Sequence, residues 1–211
     1  MKQITIILFT FLLAMPGGLL TRASEQVDCT KGDDLTISYS ITIRSKRSNT
    51  GIAETYNGGV ETFFTDSRQA RLRLVSLMRV QSIFFSGGKK ITLIKESGKI
   101  KHKTTLTQDQ WNTYNKKYEG ATCKMTEDTA QVLHHLCKQA VITLKDGRKI
   151  TAWYTTAIQK PLLARLEPAF SGIPGLVLKY EYTYRKKTIS YTATAISQTP
   201  ISPEVFVIPG E

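Results

Sequence analysis

The sequence predicts a mainly β protein, an antiparallel sheet carrying one or two short helices, and three observations predict it. Leu35, Ile37, Tyr39, Ile41 and Ile43 alternate with Thr36, Ser38, Ser40, Thr42 and Arg44, the period of a strand with one buried and one wet face. Hairpin signals recur along the chain, at Glu96-Ser97-Gly98, at Asp146-Gly147 and at the basic tip Arg185-Lys186-Lys187. Between the strand-like runs no apolar pattern of period 3.6 is long enough for a crossover helix, so neighbouring strands pair as a meander.

The chain opens with the pattern of an export signal. Lys2 supplies a positive start, residues 4–15 form an apolar run interrupted by Thr5 and Thr10, and Pro16-Gly17-Gly18 breaks it. Thr21-Arg22-Ala23 then offers small residues at the positions a signal peptidase reads, so residues 1–23 are expected to be removed and 24–211 to form one β-rich domain. An apolar run of about 12 residues is short of the ~20 that a spanning helix needs, which predicts no transmembrane segment after cleavage. Cys29 follows Gln26-Val27-Asp28, the wrong chemistry for a lipidated N-terminus, so a soluble periplasmic protein and not a lipoprotein is expected.

Over all 211 residues the formal charge is +12, and removing Lys2 and Arg22 lowers it to +10. Export argues against nucleic acid as the partner of this charge. Lys and Arg then either decorate the wet face and protect the sheet edges, or draw the protein to an anionic lipid surface or polyanion. Three cysteines in an oxidising compartment allow one disulfide. Cys123 with Cys137 would close a loop of about 15 residues, a constraint of about 3 kcal/mol on the chain-entropy model. Cys29 is left over or ties down the N-terminus instead, and Cys137 free in an apolar strand would act as a small hydrophobe.

After the first strand, residues 45–58 are polar and carry Asn49-Thr50-Gly51 and Asn57-Gly58, a connection with no buried face. Short strands are expected at 60–65, 70–75 and 80–85, then across the Gly87-Gly88 turn at 91–95, and at 99–106. Thr107-Gln108-Asp109-Gln110 has the spacing of a capping box, and Trp111, Tyr114 and Tyr118 follow on one helical face. Residues 130–144 read as strand, continuous or split at His134-His135, and a two-residue turn at Asp146-Gly147 leads into a strand over 150–156. Residues 159–170, with Pro161-Leu162-Leu163 and Leu166, form a short helix or a lid. A last short strand is expected at 205–208, beyond the breaks at Pro200 and Pro203.

The organising stretch lies between residues 145 and 209. Gly172, Pro174 and Gly175 in Gly172-Ile173-Pro174-Gly175-Leu176-Val177 make a stiff turn that launches a strand directly. In that strand Leu176, Leu178, Tyr180, Tyr182 and Tyr184 recur with period 2, and the return strand carries Ile189, Tyr191, Ala193 and Ala195 on one face. This hexapeptide resembles the motif of the GLPGLI family of secreted Gram-negative bacterial proteins, differing at Ile173 and Val177. The resemblance takes in Leu136-Cys137-Lys138, Lys145-Asp146-Gly147-Arg148, the Ala152-Trp153-Tyr154-Thr155 run, Thr192-Ala193-Thr194 and Val207-Ile208-Pro209. Between 156 and 171 the family's Gly-Pro pair is missing. What the resemblance implies is a curved, open half-barrel similar to periplasmic lipid and lipoprotein carriers of the LolA/LolB type; the family has no agreed activity.

Catalytic chemistry is not legible. His134-His135-x-Cys137 puts neighbouring side chains on opposite faces of a strand, so no metal ligand set is expected, and no cofactor loop follows a strand into a helix. No Gly-x-Ser-x-Gly elbow occurs, and neither Cys123 nor Cys137 sits in a nucleophile turn with His102 or His134. What remains is a concave sheet face whose amphipathic rings, Trp111, Trp153, Tyr180, Tyr182 and Tyr184, either line a ligand site or form ordinary core. The expected function is a non-enzymatic periplasmic binding module for a lipid or a lipidated, hydrophobic partner. The alternative is an envelope protein–protein adaptor or sensor without a small-molecule ligand.

Overall fold

The computed structural model describes residues 34–45, 56–86, 90–158 and 161–210. The expected signal peptide, Cys29, most of the 45–58 connection and the Gly87-Gly88 turn lie outside the described residues. Among the described residues eleven strands form one antiparallel sheet: β1 Leu35–Ser45, β2 Val60–Thr65, β3 Gln69–Val75, β4 Val80–Ser86, β5 Lys90–Ser97, β6 Ile100–Thr107, β7 Thr122–Val132, β8 His135–Thr143, β9 Lys149–Thr155, β10 Leu176–Tyr184 and β11 Lys187–Ser197. Two helices interrupt them, α1 Gln108–Tyr114 and α2 Pro161–Leu166.

The strand order is β6-β5-β4-β3-β2-β1-β11-β10-β9-β8-β7, and the two ends do not pair. From β1 the chain meanders outward to β6, passes through α1 to the opposite edge at β7, and meanders back until β11 pairs with β1. That crossing forces the sheet to curl. Ten inter-strand steps of about 4.8 Å make a flat sheet roughly 48 Å wide. The α1 connection, with seven residues in a helix and seven outside it, reaches roughly 34 Å at most. The edges must approach, and the result is an open half-barrel with a concave face.

Each edge is protected differently. On β6 nearly every side chain is exposed, with Lys101, His102 and Lys103 in sequence, and charge on an edge discourages further pairing. On β7 a bulge between Met125 and Thr129 interrupts the ladder to β8.

The apolar alternation of β1 is reproduced: Leu35, Ile37, Tyr39 and Ile41 are buried. The capping box also forms, with Gln110 N–H donating to Thr107 Oγ1 and Gln110 Oε1 accepting from Thr107 N–H. The helix it starts stops at Tyr114, and Tyr118 lies in a following 3-10 turn. Trp111 buries itself under the sheet and stacks on Tyr114 at 5.6 Å. Its indole N–H donates to the Arg165 carbonyl of α2 at 3.0 Å, and the Arg165 guanidinium sits 5.2 Å over Phe85 of β4. Together α1 and α2 fill one part of the concave face.

Several expectations need correction. The 130–144 run splits beside His134-His135, the second of its two expected forms, because Leu133 and His134 both take positive φ, 47° and 64°, in a two-residue turn; what differs is that the strand before the turn starts as early as Thr122 and pairs back as β7. At Asp146-Gly147 the turn is longer than two residues. Gly147 N–H donates to Leu144 O and Leu144 N–H to Arg148 O, a type I turn closed by a left-handed Gly147. Residues 203–206 form a 3-10 turn rather than a strand, with Pro203 at its start removing a ladder donor. Arg71 of β3 secures that segment by donating to Val205 O at 2.9 Å.

The disulfide expectation is overturned by register. Cys123 pairs opposite Ile142 and Cys137 opposite Ala130, and both thiols are free. Five residues of β8 separate the two ladder positions, roughly 16 Å, against the ~7 Å beyond which Cα atoms cannot be bridged. Burial raises the pKa of both thiols, and Cys137 is fully buried in the core.

Candidate functional site

The turn before β10 is built by close approach. Gly175 N–H donates to Ile173 O at 3.0 Å, a three-residue γ-turn centred on Pro174, whose fixed φ suits that position. Gly175 does not take a positive φ; a Cβ there would overlap the Thr155 carbonyl oxygen and lie 2.9 Å from its carbon. Gly172 backs onto Cys123, where a Cβ would stand 3.2 Å from the Cys123 Cβ. Backbone thus packs on backbone, and β10 leaves the turn already paired with β9.

A bulge follows at once. Val177 pairs with Tyr154 and Lys179 with Trp153, leaving Leu178 as the extra residue. The five-residue one-sided row expected from period 2 is therefore broken. Leu176 and Leu178 join the core that contains Trp111, while Val177, Tyr180 and Tyr182 pack in a second cluster with Ile150, Ala152 and Tyr154. Tyr39 fixes the bulge by donating its phenol to Val177 O at 2.6 Å from two strands away.

Beside this cluster lies a cavity of about 430 Å³, within the size range of small-molecule sites. Leu72, Leu74 and Ile83 wall it from β3 and β4, Phe170 and Leu166 from the 161–170 segment, and Ile150, Ile189 and Tyr191 from the far strands. Of the residues singled out from sequence, the fold brings Trp111, Tyr180, Tyr182 and Tyr184 to this cavity. Trp153 is not among its lining residues: it pairs opposite Gln139 and Lys179, with the Lys179 ammonium 4.4 Å from its ring centre. Tyr180 is the hub of the aromatic lining. Its ring stacks on Tyr191 at 4.4 Å, meets Phe170 edge-on at 4.9 Å and Tyr39 at 6.3 Å.

Two carboxyl groups reach the same space, and neither was singled out from sequence. Glu61 of β2 is only 5% exposed and accepts a hydrogen bond from the Tyr180 phenol at 3.3 Å. Burial, reinforced by the nearby Glu167 carboxylate, pushes its pKa well above the usual range, against the Tyr180 hydrogen bond that lowers it. Glu167, at the end of α2, is pushed up to about 7 by burial, with the Lys117 ammonium pulling the other way. Burial also raises the phenols around them, Tyr118 and Tyr182 to about 12. Glu61 had a legible signal, since it lies in phase with Phe63 on the inward face of β2, where an apolar residue is the rule. Glu167 had none, because its position depends on how α2 crosses the sheet.

The mouth differs from the interior. Exposed lining side chains are Tyr114, Lys117, Arg148, Lys149, Thr183 and Tyr184, so the opening is basic and aromatic around an apolar wall with acidic groups inside. Arg148 is held by Asp146 in a 2.7 Å ion pair. Among the described residues no group of three His, Cys, Asp or Glu side chains could hold a metal ion, and no helix is long and apolar enough to cross a membrane.

No family model matches the chain, and no curated protein sequence matches it. Among solved structures it is similar to PNGF-II, with a TM-score of 0.45, 17% identity and coverage of 82% of this chain; it spans 29% of the PNGF-II chain. It is also similar to the lipoprotein LppX of Mycobacterium tuberculosis, with a TM-score of 0.40 and 8% identity over 79% of this chain and 88% of that one. A LolA superfamily protein from Nitrosomonas europaea gives a TM-score of 0.34 and 8% identity over 84% of this chain and 91% of that one.

Proposed function

We propose that the chain is an exported, non-catalytic binding module whose cavity receives the apolar part of a lipid or of a lipidated, hydrophobic partner. The observation that carries this reading is the cavity of about 430 Å³ on the inner side of the curled sheet, walled by Leu72, Leu74, Ile83, Phe170, Tyr180 and Tyr191. An apolar chain can displace poorly held water from such a wall, while tyrosine phenols and the two carboxyl groups meet a polar end. Glu61 serves in this reading as a hydrogen-bonding group kept protonated by burial, and Glu167, with its pKa raised to about 7, as a second one that ionises near neutral pH.

Export to the periplasm is supported by Lys2, the apolar run at 4–15 and Thr21-Arg22-Ala23; removal of 1–23 would leave 24–211 as the working unit. The resemblance of Gly172-Ile173-Pro174-Gly175-Leu176-Val177 to the GLPGLI motif supports placing the chain with that family of secreted proteins. The test is native mass spectrometry of the exported protein, with solvent extraction of any bound lipid. A stoichiometric, extractable amphiphile is expected; an empty protein that stays empty when offered lipids would favour the adaptor reading.

A further inference from the structure

The strand registers turn the β3–β4, β5–β6, β8–β9 and β10–β11 connections toward the same end of the sheet. Val75 pairs with Val80, Ser97 with Ile100, Thr143 with Lys149 and Tyr184 with Lys187 at the closing rungs of those hairpins. The β1 pairings with β2 and β11 fix the common direction of the two halves. At this end the protein exposes apolar side chains where a turn normally carries polar ones. Leu77 is 90% exposed, Met78 60% and Ile100 61%. Val60, Val75 and Tyr184 are also exposed here.

Two of these turns act as one structure. Ser97 Oγ donates to Met78 O at 3.2 Å, joining the β5–β6 tip to the β3–β4 tip, and Ser76 donates through both its N–H and its Oγ to Arg79 O. The apolar side chains are therefore held outward on braced turns. Cations lie at the same end: Arg79, Lys99 and Lys101 on these tips, and Lys145, Arg148, Arg185 and Lys186 on the tips of the other half. The acidic side chains on the four tips are Glu96, bridged to Lys101, and Asp146, bridged to Arg148. Leu74 and Gln81 lie just above the β3–β4 tip and line the cavity, as do Thr183 and Tyr184 beside the β10–β11 tip.

We infer that this end of the sheet docks on an anionic lipid bilayer, with Leu77, Met78 and Ile100 entering the interface and the Lys and Arg side chains of the tips holding acidic headgroups. Exposed leucine and methionine gain by leaving water only if an apolar phase receives them. The excess of positive side chains on the tips at this end matches the negative surface potential of anionic lipid. The inference goes beyond the cavity reading and does not need it, but it places the cavity mouth next to the membrane.

The test is co-sedimentation of the exported protein with phosphatidylcholine vesicles, with and without 30 mol% phosphatidylglycerol. Wild type should sediment with the anionic vesicles and much less with the neutral ones, and high salt should weaken it. Leu77→Ser/Met78→Ser should bind the anionic vesicles at least tenfold more weakly. Arg185→Asn/Lys186→Gly keeps a favourable two-residue turn while removing two charges, and should bind more weakly with a shallower salt dependence. Both variants should keep their thermal stability and their binding of a fluorescent fatty acid, which separates loss of docking from loss of the cavity. Failure of wild type to sediment with anionic vesicles, or equal sedimentation by folded Leu77→Ser/Met78→Ser, would overturn the inference.

Discussion

The Tyr180 phenol donates to the Glu61 carboxyl across the concave face, although β10 and β2 are three strands apart in the sheet. In a flat sheet their Cα atoms would be roughly 14 Å apart with parallel side chains, and no bond would form. The bond is thus a direct reporter of curl, and it supplies the polar contact that a buried carboxyl needs. Tyr180→Phe should cost about 1–3 kcal/mol in urea denaturation, because it leaves Glu61 short of a partner as well as losing the bond. Glu61→Gln keeps an acceptor and ends the cost of ionising a buried group, so it should be neutral or stabilising at pH 8.

The second prediction concerns pH. Glu167 has a pKa of about 7 in the fold against its ordinary 4.5, chiefly from burial. Between those values the unfolded chain ionises while the folded chain keeps the proton, so stability falls as pH rises through this window and levels off above it. The size of the fall from this group is at most roughly 3 kcal/mol, and Glu61 acts in the same direction. Thermal melts from pH 4.5 to 8 should show Tm falling with pH, and Glu167→Gln should flatten the profile. A Tm that rises through this interval in wild type would contradict the buried-carboxyl account.

At the γ-turn, Gly175→Ala should destabilise by about 2 kcal/mol or more, since its Cβ meets the Thr155 backbone rather than a side chain that can move. Gly172→Ala meets only the Cys123 side chain and should cost less than half as much. Equal, small effects from both would show that the β9–β10 approach is looser than described.

For the cysteines, non-reducing peptide mapping of protein purified without reductant should recover no peptide linking Cys123 to Cys137. Under native conditions Cys123, which is partly exposed, should alkylate faster than Cys137, whose side chain is fully buried.

How far the sequence reached depended on whether a feature was local. The strands at 35–44, 60–65, 70–75, 80–85 and 91–95 and the Thr107–Gln110 capping box were readable because alternation and capping act within a few residues. The β7–β8 hairpin was readable only as one of two alternatives, the split at His134-His135, because Leu133 is a poor advertisement for positive φ, and the part of β7 before Ala130 was not readable. Nor was the bulge at Leu178, which only the pairing with β9 defines and which divides Leu176 and Leu178 from Tyr180 and Tyr182. Trp153 sat in an aromatic pair whose neighbour Tyr154, rather than itself, faces the cluster beside the cavity. The cavity's acidic groups meet only after α2 and β2 are brought together by the curl.

The most direct test of the cavity is a titration of the purified protein with a fluorescent fatty acid, run in parallel on Gln81→Trp and Tyr182→Ala. Gln81 is a partly exposed lining residue, so an indole there fills space without removing a core contact, whereas Tyr182→Ala removes a ring from the wall. Wild type should show saturable one-site binding, weakened at least tenfold in both variants while circular dichroism shows each still folded. Wild type showing no saturable binding up to the probe's solubility limit, or binding as tightly with the cavity filled at residue 81, would contradict the cavity reading.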